Sequence, residues 1–549
     1  MKITLKQISS LEKVRREDAK EYPCIDSRKA LAGERVLYQL WIHTDDQAFM
    51  SVSVESALAE HVKLYRVRDA VMDTPLVVPG PMEDYITHTP GMMPDILVPL
   101  SENGNRLYVD KIPCALWVQV DIPADTRPGS YPVRICFDIT KPGGQQEARP
   151  CCTMDLTVIP AVMPRQKLIY TRWMYLDCIA QAHQVEIFSE AHWEWIDRYI
   201  AAAADLGINM LMVPVHTPPL DTEVGTARPC VQLVDIEKKG EQYIFGFDRF
   251  HRYIELCKKH GIRYYEIAHM FTQWGAKATP NIWVTENGKA GYLFGWHTDA
   301  QDPGYAAFLR QYITAISAQL AEAGIVENTY YHISDEPSLE NMPAYRQAAE
   351  LIRPLIGNSK TYDALSDYAF YEKGLVECPV TIVSQIHSFL EHEIPNQWVY
   401  YCCGPTEVYP NGFMAMPSYR VRVMGFLMYK YGIKGFLQWG FNFYHACRSM
   451  YPIDPFVTTS SDGAFPSGDP FIVYPGRKCV YPSIRGQVFY EGVQDMDICY
   501  ALEEKIGKAA VVQLIDQAAG QPLRFDTYPK NSEFLVNLRQ RLIEALANE

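Results

Sequence analysis

From Pro164 onward, short apolar runs alternate with longer amphipathic stretches. This alternation is typical of repeated βα units. The candidate strands lie at 167–177, 208–215, 263–270, 329–336, 359–365, 381–388, 398–403 and 435–444. The clearest segments of helical periodicity lie at 192–207, 247–261, 304–324 and 419–432. Eight such units predict an α/β fold of the (β/α)8 TIM-like barrel type rather than an open sheet.

The residues before Pro164 follow a different pattern, in which short alternating strands are broken by Pro and Gly. The clearest candidate strands lie at 37–44, 48–56, 116–122 and 130–140. This pattern predicts an N-terminal antiparallel β-sandwich that precedes the barrel. We therefore predict a sandwich domain over 1–163 and a catalytic barrel domain over 164–549. The second domain would include a long loop at 445–480 and closing helices at 483–506 and 532–548.

The charge balance excludes some classes of partner. A formal net charge of -14 repels phosphate backbones and anionic lipid headgroups, so we expect no nucleic-acid partner and no membrane partner. The N-terminal residues lack an apolar signal region, and no stretch approaches the length of a membrane span. These observations predict a cytoplasmic protein, while the oligomeric state stays open.

The sequence contains no recognisable metal or cofactor motif. The fourteen Cys residues include no C-x-x-C pair, and we expect them to be reduced and mostly buried. HEIPN at 392–396 resembles the start of a zincin helix, but Asn396 stands where the second His is required and Pro395 would break the helix. Glycine-rich nucleotide loops and the G-x-S-x-G nucleophile motif are also missing. We therefore predict no metal and no cofactor.

The active site of a (β/α)8 barrel lies at the C-terminal ends of its strands, so polar and aromatic residues there are the candidates. Besides two carboxylates, the candidates for substrate binding are His216, His269, His332, Gln385, Tyr400, Tyr401, Trp439 and Asn442. The aromatic content of 12% fits sugar rings that stack on aromatic side chains, although large hydrophobic cores give the same proportion.

The outstanding feature at a strand end is the adjacent pair Asp335 and Glu336. Neighbouring like charges in a low-dielectric pocket raise one of the two pKa values, which gives one proton donor and one anion. Glycoside cleavage needs both of these, and the longer Glu336 suits the acid while Asp335 suits the stabilising anion. Alternatively, the Asp-Glu-Pro sequence that ends at Pro337 merely caps the following helix.

Several segments together resemble glycoside hydrolase family 123, the β-N-acetylgalactosaminidases, and its wider group of relatives. PDILVPL (94–100) and 116–135 are similar to the N-terminal sandwich of that family. YYHISDEP within 329–337 resembles the catalytic strand end, and GIKGFLQWGFNFY (432–444) resembles the last barrel strand. The segment 474–504, with its Ser-Ile-Arg and Glu-Gly-x-x-Asp elements, is similar to the closing segment.

This resemblance implies a glycan substrate with a β-linked 2-acetamido sugar, with N-acetylgalactosamine as the first candidate. It also implies retaining, substrate-assisted catalysis, in which the acetamido oxygen of the substrate attacks the anomeric carbon and forms an oxazolinium intermediate. Asp335 matches the residue that orients the acetamido N–H, and Glu336 matches the general acid/base.

Two alternatives remain open at this point. The first is a retaining barrel glycosidase that acts on a sugar without an acetamido group, with Glu407 as its carboxylate nucleophile. The second is a carbohydrate-binding protein on the same scaffold that has no catalytic activity. The first alternative predicts turnover of plain glycosides, whereas the second predicts sugar binding without turnover.

Overall fold

The computed structural model of the protein describes residues 2–18, 20–77, 84–140, 149–273 and 275–548. The chain forms two compact units. The sandwich unit comprises Met1–Lys167, Thr406–Tyr431 and Phe456–Glu549, and the barrel unit comprises Leu168–Pro405 and Gly432–Pro455. The division into domains 1–163 and 164–549 stays a prediction. No helix within the described residues is long and apolar enough to cross a membrane.

The N-terminal part of the sandwich unit is built from two β-sheets. Its strands are β1 (Ile3–Ser9), β2 (Ser27–Ala32), β3 (Arg35–Thr44), β4 (Ala48–Glu55), β5 (Val62–Met72), β6 (Gly91–Pro99), β7 (Arg106–Val109), β8 (Cys114–Asp121), β9 (Gly129–Ser130), β10 (Val133–Thr140) and β11 (Cys151–Val162). One sheet has the order β1-β3-β8-β5-β6. The other has the order β2-β11-β10-β4-β7, with β9 beside β11.

Alternating side chains from the two sheets form the sandwich core. Along β4, for example, Ala48, Met50 and Val52 are buried while the residues between them face outward. The predicted sandwich is therefore confirmed, with one parallel pair, β2 with β11, among otherwise antiparallel strands. A disulfide joins Cys136 and Cys151, which are directly opposite each other on β10 and β11. The prediction that all cysteines are reduced is wrong at this pair.

The barrel unit contains a closed barrel with the order β12-β13-β16-β19-β20-β21-β22-β23. The strands of this unit are β12 (Ile169–Arg172), β13 (Met210–Val213), β14 (Asp235–Lys239), β15 (Gln242–Gly246), β16 (Tyr264–Ile267), β17 (Ile282–Glu286), β18 (Lys289–Phe294), β19 (Thr329–Tyr331), β20 (Lys360–Ala364), β21 (Cys378–Ile382), β22 (Trp398–Tyr400) and β23 (Gly435–Gln438). Neighbouring barrel strands are parallel, from β12 with β13 round to β12 with β23. The predicted (β/α)8 barrel is confirmed.

The helices of the barrel unit are α1 (Leu176–Ala182), α2 (Glu190–Asp205), α3 (Asp248–Lys259), α4 (Pro303–Glu322), α5 (Met342–Ile352), α6 (Ala369–Glu372) and α7 (His387–Leu390). The barrel strands are shorter than the predicted runs because the chain continues beyond each strand end into a loop. The sixth strand differs most. It is β21, and the predicted strand 381–388 overlaps it only at Thr381 and Ile382, because 387–390 form α7.

Two loops at the C-terminal end of the barrel together form a separate four-stranded sheet. The connection after β13 contains β14 and β15, and the connection after β16 contains β17 and β18. These four strands pair in the order β15-β14-β17-β18. The loops that follow barrel strands surround the active site of such folds, so this small sheet limits how freely two of them can move.

The rest of the sandwich unit is mainly helical: α8 (Tyr419–Lys430), the short strands β24 (Val473–Tyr474) and β25 (Tyr481–Pro482), α9 (Ile484–Ile506), α10 (Lys508–Ala519) and α11 (Ser532–Asn548). Helices α8 and α9 cross with their backbones in close contact, since a Cβ atom on Gly425 would lie 1.8 Å from the carbonyl oxygen of Gly492. Only glycine fits at such a crossing.

Buried ion pairs explain the two elements of the closing segment. In the Ser-Ile-Arg element, Ser483 caps the N-terminus of α9, and Arg485 donates to both carboxylate oxygens of Asp95 at 3.0 Å. In the Glu-Gly-x-x-Asp element, Glu491 and Asp495 both pair with Arg422 of α8. Because removal of one partner from such a pair leaves an uncompensated buried charge, these residues hold the sandwich unit together.

Candidate active site

Asp335 and Glu336 lie in the loop that follows β19, the fourth barrel strand. Asp335 is half-buried, and Glu336 is exposed. The backbone of Glu336 has φ 41°, in the left-handed region that non-glycine residues rarely adopt. Such strain is typical of functional sites and persists only where the surroundings enforce it. This backbone conformation breaks the alternation of side chains that a strand would impose. The side chains of Asp335 and Glu336 can therefore point toward the same region.

Hydrogen bonds from a neighbouring loop hold this strained segment in place. The hydroxyl of Ser334 donates to the carbonyl of Thr272 at 2.9 Å and accepts from the backbone N–H of Ala276 at 3.0 Å. Neither Asp335 nor Glu336 caps the next helix, because α5 starts after Asn341 and no side chain accepts a hydrogen bond there. The alternative that this pair is a helix cap is therefore wrong.

The two carboxylates differ in their electrostatic surroundings. Burial is the main cause that raises the pKa of Asp335 well above its ordinary value, and the adjacent charge of Glu336 raises it further. The Tyr400 hydroxyl donates to Oε1 of Glu336 at 2.6 Å. Burial and the charge of Glu336 also raise the pKa of Tyr400, so this phenol remains a donor. Asp335 therefore holds a proton more readily than an isolated surface carboxyl group would.

A buried polar cluster lies on the barrel strands and just beyond their C-terminal ends. It contains Glu266, His269, His332, Tyr362 and Asp363, all fully enclosed. The rings of His269 and His332 stack with centroids 3.8 Å apart, and the Tyr362 hydroxyl donates to Glu266. Burial lowers the pKa of both histidines and raises that of both carboxyl groups, so each of the four favours its neutral form.

Asp363 of β20 connects this cluster to the loop that contains Asp335 and Glu336, although the sequence prediction missed it. Its carboxyl group is hydrogen-bonded to His332 Nδ1 at 3.0 Å and accepts hydrogen bonds from the backbone N–H of Ile333 at 3.1 Å and from the hydroxyl of Tyr345. The bond to Ile333 fixes the chain two residues before Asp335. The only sequence signal was an Asp within a predicted barrel strand, where burial requires hydrogen-bond partners.

The geometry of the cluster does not favour a metal ion. Ligand atoms of His269, His332 and Asp363 lie within 4.8 Å of one another, as do those of Asp177, Cys178 and His445. The rings of His269 and His332 are inclined by only 13°, so their in-plane lone pairs do not converge as a tetrahedral metal requires.

The second group of three possible ligands is engaged in other contacts. The carboxylate of Asp177 accepts two hydrogen bonds from the guanidinium of Arg228. The ring of His445 is hydrogen-bonded to Gln181. Asp177 is therefore neutralised by a buried arginine and does not need a cation as a partner.

The remaining predicted binding residues lie in different environments. His216 is buried and its Nε2 bonds the carbonyl of His269 at 2.9 Å. Asn442 is buried and clamps the backbone of Tyr175, with Oδ1 accepting at 2.9 Å and Nδ2 donating at 3.1 Å. Both side chains therefore support the barrel loops from within, and their role as substrate contacts stays a prediction.

The aromatic candidates and Gln385 complete the set of predicted binding residues. Trp439 follows β23, is half-buried and packs edge-on against Phe443. Tyr401 is buried, and its ring packs against Phe436 with centroids 4.9 Å apart. Gln385 lies in the turn after β21 and is exposed. Of the eight predicted binding residues, all of which are described, Tyr400 alone forms a hydrogen bond with a carboxylate of the pair.

The carboxylate of the first alternative, Glu407, lies in the sandwich unit. Its side chain is exposed, and its backbone carbonyl accepts a hydrogen bond from the buried Arg420. No feature of Glu407 itself indicates a nucleophile.

The lowered pKa of the buried His216 predicts how the stability of the fold depends on pH. Burial lowers this pKa to about 4. An unfolded chain binds the proton near pH 6.5, so the contribution of His216 to stability is complete above pH 6.5 and is lost as the pH falls toward 4. Over this range wild type should lose roughly 3 kcal/mol more than His216→Gln.

Urea unfolding midpoints measured at intervals between pH 7 and 4 would test this expectation. His61→Gln, which changes an exposed histidine, is the matched control and should follow the wild type. Parallel pH profiles for wild type and His216→Gln would contradict the assignment of His216 as a neutral buried group.

The family model described as glycoside hydrolase 123, catalytic domain, matches residues 173–502, more than half of the chain. The chain belongs to glycoside hydrolase family 123. The matched region contains Asp335, Glu336, Tyr400 and the buried cluster, and membership supports a glycosidase that acts on glycans.

A solved structure of a family 123 glycoside hydrolase from Clostridium perfringens, described as a study of glycolipid glycan hydrolysis, shares the fold. Its TM-score is 0.75 at 15% sequence identity, and the match covers 100% of this chain and 98% of that one. A family 5 glycoside hydrolase from Bacteroides vulgatus matches at a TM-score of 0.34 and 13% identity, covering 63% of this chain and 69% of its own. No curated protein sequence matches the chain significantly.

Proposed function

We propose that the protein is a retaining glycosidase that removes a β-linked N-acetylhexosamine by substrate-assisted catalysis. N-acetylgalactosamine is the first candidate for this sugar. Asp335 and Glu336 are the catalytic residues of this proposal. The observation that carries it is their adjacency in one strained loop at the end of a barrel strand. Membership of glycoside hydrolase family 123 supports a glycan as the substrate.

Adjacency favours substrate assistance over an enzyme nucleophile. An ordinary retaining glycosidase places its two carboxyl groups roughly 5 Å apart on opposite sides of the scissile bond. Two consecutive residues in one loop approach the sugar from the same region, so the opposite face of the anomeric carbon lacks a nucleophile from this pair. An acetamido group at C2 of the substrate supplies one.

In the first step, the acetamido carbonyl oxygen attacks the anomeric carbon and the glycosidic bond breaks. Glu336 gives its proton to the leaving oxygen. Asp335 accepts a hydrogen bond from the acetamido N–H and stabilises the positive charge of the oxazolinium ion. In the second step, Glu336 removes a proton from water, which opens the ring from the face that the leaving group had occupied. Two inversions give overall retention.

The proposed role of Asp335 requires its anionic form. In the free protein, burial and the adjacent charge of Glu336 raise the pKa of Asp335, which favours the neutral form. When the acetamido N–H reaches Asp335, its positive end stabilises the anionic form of Asp335. In this proposal Glu336 is the member of the pair that protonates the leaving oxygen. The Tyr400 hydroxyl, which bonds Oε1 of Glu336, limits the rotation of this side chain.

Paired substrates test the proposal directly. Purified protein is given the aryl N-acetyl-β-galactosaminide, the aryl N-acetyl-β-glucosaminide and the plain aryl β-galactoside. We expect turnover of the acetamido sugars only, because the plain galactoside lacks the internal nucleophile. Turnover of the galactoside would overturn substrate assistance and favour a carboxylate nucleophile such as Glu407. Binding of sugars without any turnover would favour a carbohydrate-binding protein.

A further inference from the structure

The sandwich unit contains a cavity of about 800 Å³ on the β5 and β6 edge of its first sheet. This volume lies within the range of small-molecule binding sites. Four arginines line the cavity, together with two carboxylates and an apolar wall. The arginines are Arg16, Arg66, Arg68 and Arg477. This concentration of positive charge is notable in a protein whose net charge is -14.

The carboxylates in the cavity are already engaged. Asp69 pairs with Nε of Arg16 at 2.8 Å. Glu102 accepts a hydrogen bond from the Tyr481 hydroxyl at 2.7 Å. Among the described residues, no carboxylate forms an ion pair with Arg66, Arg68 or Arg477. The cavity therefore presents guanidinium groups to solvent without acidic partners.

The local backbone explains why these arginines lie together. Arg66 and Arg68 are two residues apart on β5, so strand alternation places them on one face of the sheet. The register between β5 and β6 shifts between Arg68 and Asp69, which is a β-bulge. Bulges redirect the side chains of a strand, and here Val67 and Asp69 line the same cavity as the two arginines.

An apolar wall faces the arginines. Val98, opposite Arg66 on β6, is part of it, and so are Met92, Phe456 and Tyr481. The side chain of Met92 is 51% exposed, and the ring of Phe456 is held by stacking on Tyr474. An inorganic anion alone would need no such wall, whereas the C–H face of a pyranose ring packs well on aromatic and aliphatic side chains.

We propose that this cavity binds a saccharide that carries a carboxylate or sulfate group. Arg68 and Arg477 contact the anionic group, since the planar guanidinium forms paired, charge-assisted hydrogen bonds with such oxygens. Phe456 and Tyr481 pack against the sugar ring. The inference rests on the proposed function only in taking the ligand to be a glycan, and it assigns the sandwich unit a binding role of its own.

Isothermal titration of the full chain tests this site. The probes are N-acetylneuraminic acid, galactose 6-sulfate, neutral galactose and inorganic sulfate. We expect both acidic sugars to bind, with galactose at least tenfold weaker, and affinity to fall as NaCl is raised because salt screens exposed charges. The double variant Arg68→Gln/Arg477→Gln should lose at least tenfold in affinity for the acidic sugars.

Arg106→Gln is the matched control, because Arg106 is an exposed arginine on the second sheet and does not line the cavity. It should bind like the wild type, and both variants should keep the melting temperature and the glycosidase rate. Equal binding of galactose and galactose 6-sulfate would overturn the proposal. So would sulfate binding as tightly as the sulfated sugar, unchanged binding by the double variant, or no binding of acidic sugars to the wild type.

The two proposals fail separately. If the protein hydrolyses none of the aryl glycosides but binds acidic sugars through Arg68 and Arg477, the proposed function fails and this site stands. If hydrolysis is observed without acidic-sugar binding, the proposed function stands and the binding site in the cavity is refuted.

Discussion

Glu336→Gln should lower the turnover of an aryl N-acetylhexosaminide with a poor leaving group by about 10²–10⁴-fold, the usual contribution of a general acid. Glutamine keeps the shape of the side chain and an acceptor for the Tyr400 hydroxyl. It cannot give a proton to the leaving oxygen. For a dinitrophenyl glycoside, whose leaving group needs no proton, the loss in the bond-breaking step should largely disappear. Rates for a series of leaving groups measure this difference.

Glu340→Gln is the matched control, since it changes an exposed glutamate four residues further along the same loop. It should leave all rates unchanged. An equal loss for good and poor leaving groups in Glu336→Gln would exclude Glu336 as the acid.

The same variant also tests the second step of the mechanism. Without the base, ring opening of the oxazolinium ion by water becomes slow even when the leaving group departs easily. Azide needs no deprotonation, so it should restore turnover of the dinitrophenyl substrate and give the β-glycosyl azide. Formation of the α-azide would contradict retention through an internal nucleophile.

The architecture was predictable because both units follow simple patterns. Barrel strands are covered on both faces, so they are continuous apolar runs, as in Met210–Val213 and Gly435–Gln438. Sandwich strands have one solvent face, so they alternate. The position of Asp335 and Glu336 at a strand end followed from the same segmentation of the chain.

Other features depend on contacts between distant segments and were not predictable. The bond from Asp363 to the backbone of Ile333 spans 30 residues, and the network of Arg422, Glu491 and Asp495 joins two helices. The disulfide between Cys136 and Cys151 depends on strand register, which spacing alone does not fix. Similarly, the polar residues predicted from strand ends divide between the pair, the buried cluster and backbone clamps such as Asn442 according to packing.

The sixth strand shows where segmentation failed. The run 381–388 contains enough apolar residues to be a strand, but the chain turns after Ile382 and Gln385 becomes exposed. The true strand starts at Cys378 and includes Pro379, a residue type that is uncommon in interior strands because it has no backbone N–H to donate. The predicted strand therefore began three residues too late, and Gln385 lies beyond the end of the true strand rather than within it.

Asp335→Asn should lower turnover by about 10²–10³-fold, the usual effect of removing one electrostatic stabiliser of a developing charge. Asparagine can still contact the acetamido group, but it does not neutralise the positive charge of the oxazolinium ion. Because this charge develops whatever the aglycone, the loss should be similar for good and poor leaving groups, unlike that of Glu336→Gln. Asp248→Asn, an exposed aspartate at the start of α3, is the control.

Stability distinguishes a catalytic loss in Asp335→Asn from a structural one. The folded pKa of Asp335 lies above its unfolded value, so ionisation of this carboxyl destabilises the fold as the pH rises past the unfolded value near 4. Asparagine removes that cost. The melting temperature of the variant should therefore be no lower than that of the wild type at pH 7. Any increase in melting temperature over the wild type should shrink as the pH falls toward 4. A lower melting temperature at pH 7 with a proportional loss of activity would indicate a structural role for Asp335, whereas an inactive but equally stable protein is the result that catalysis by this pair requires.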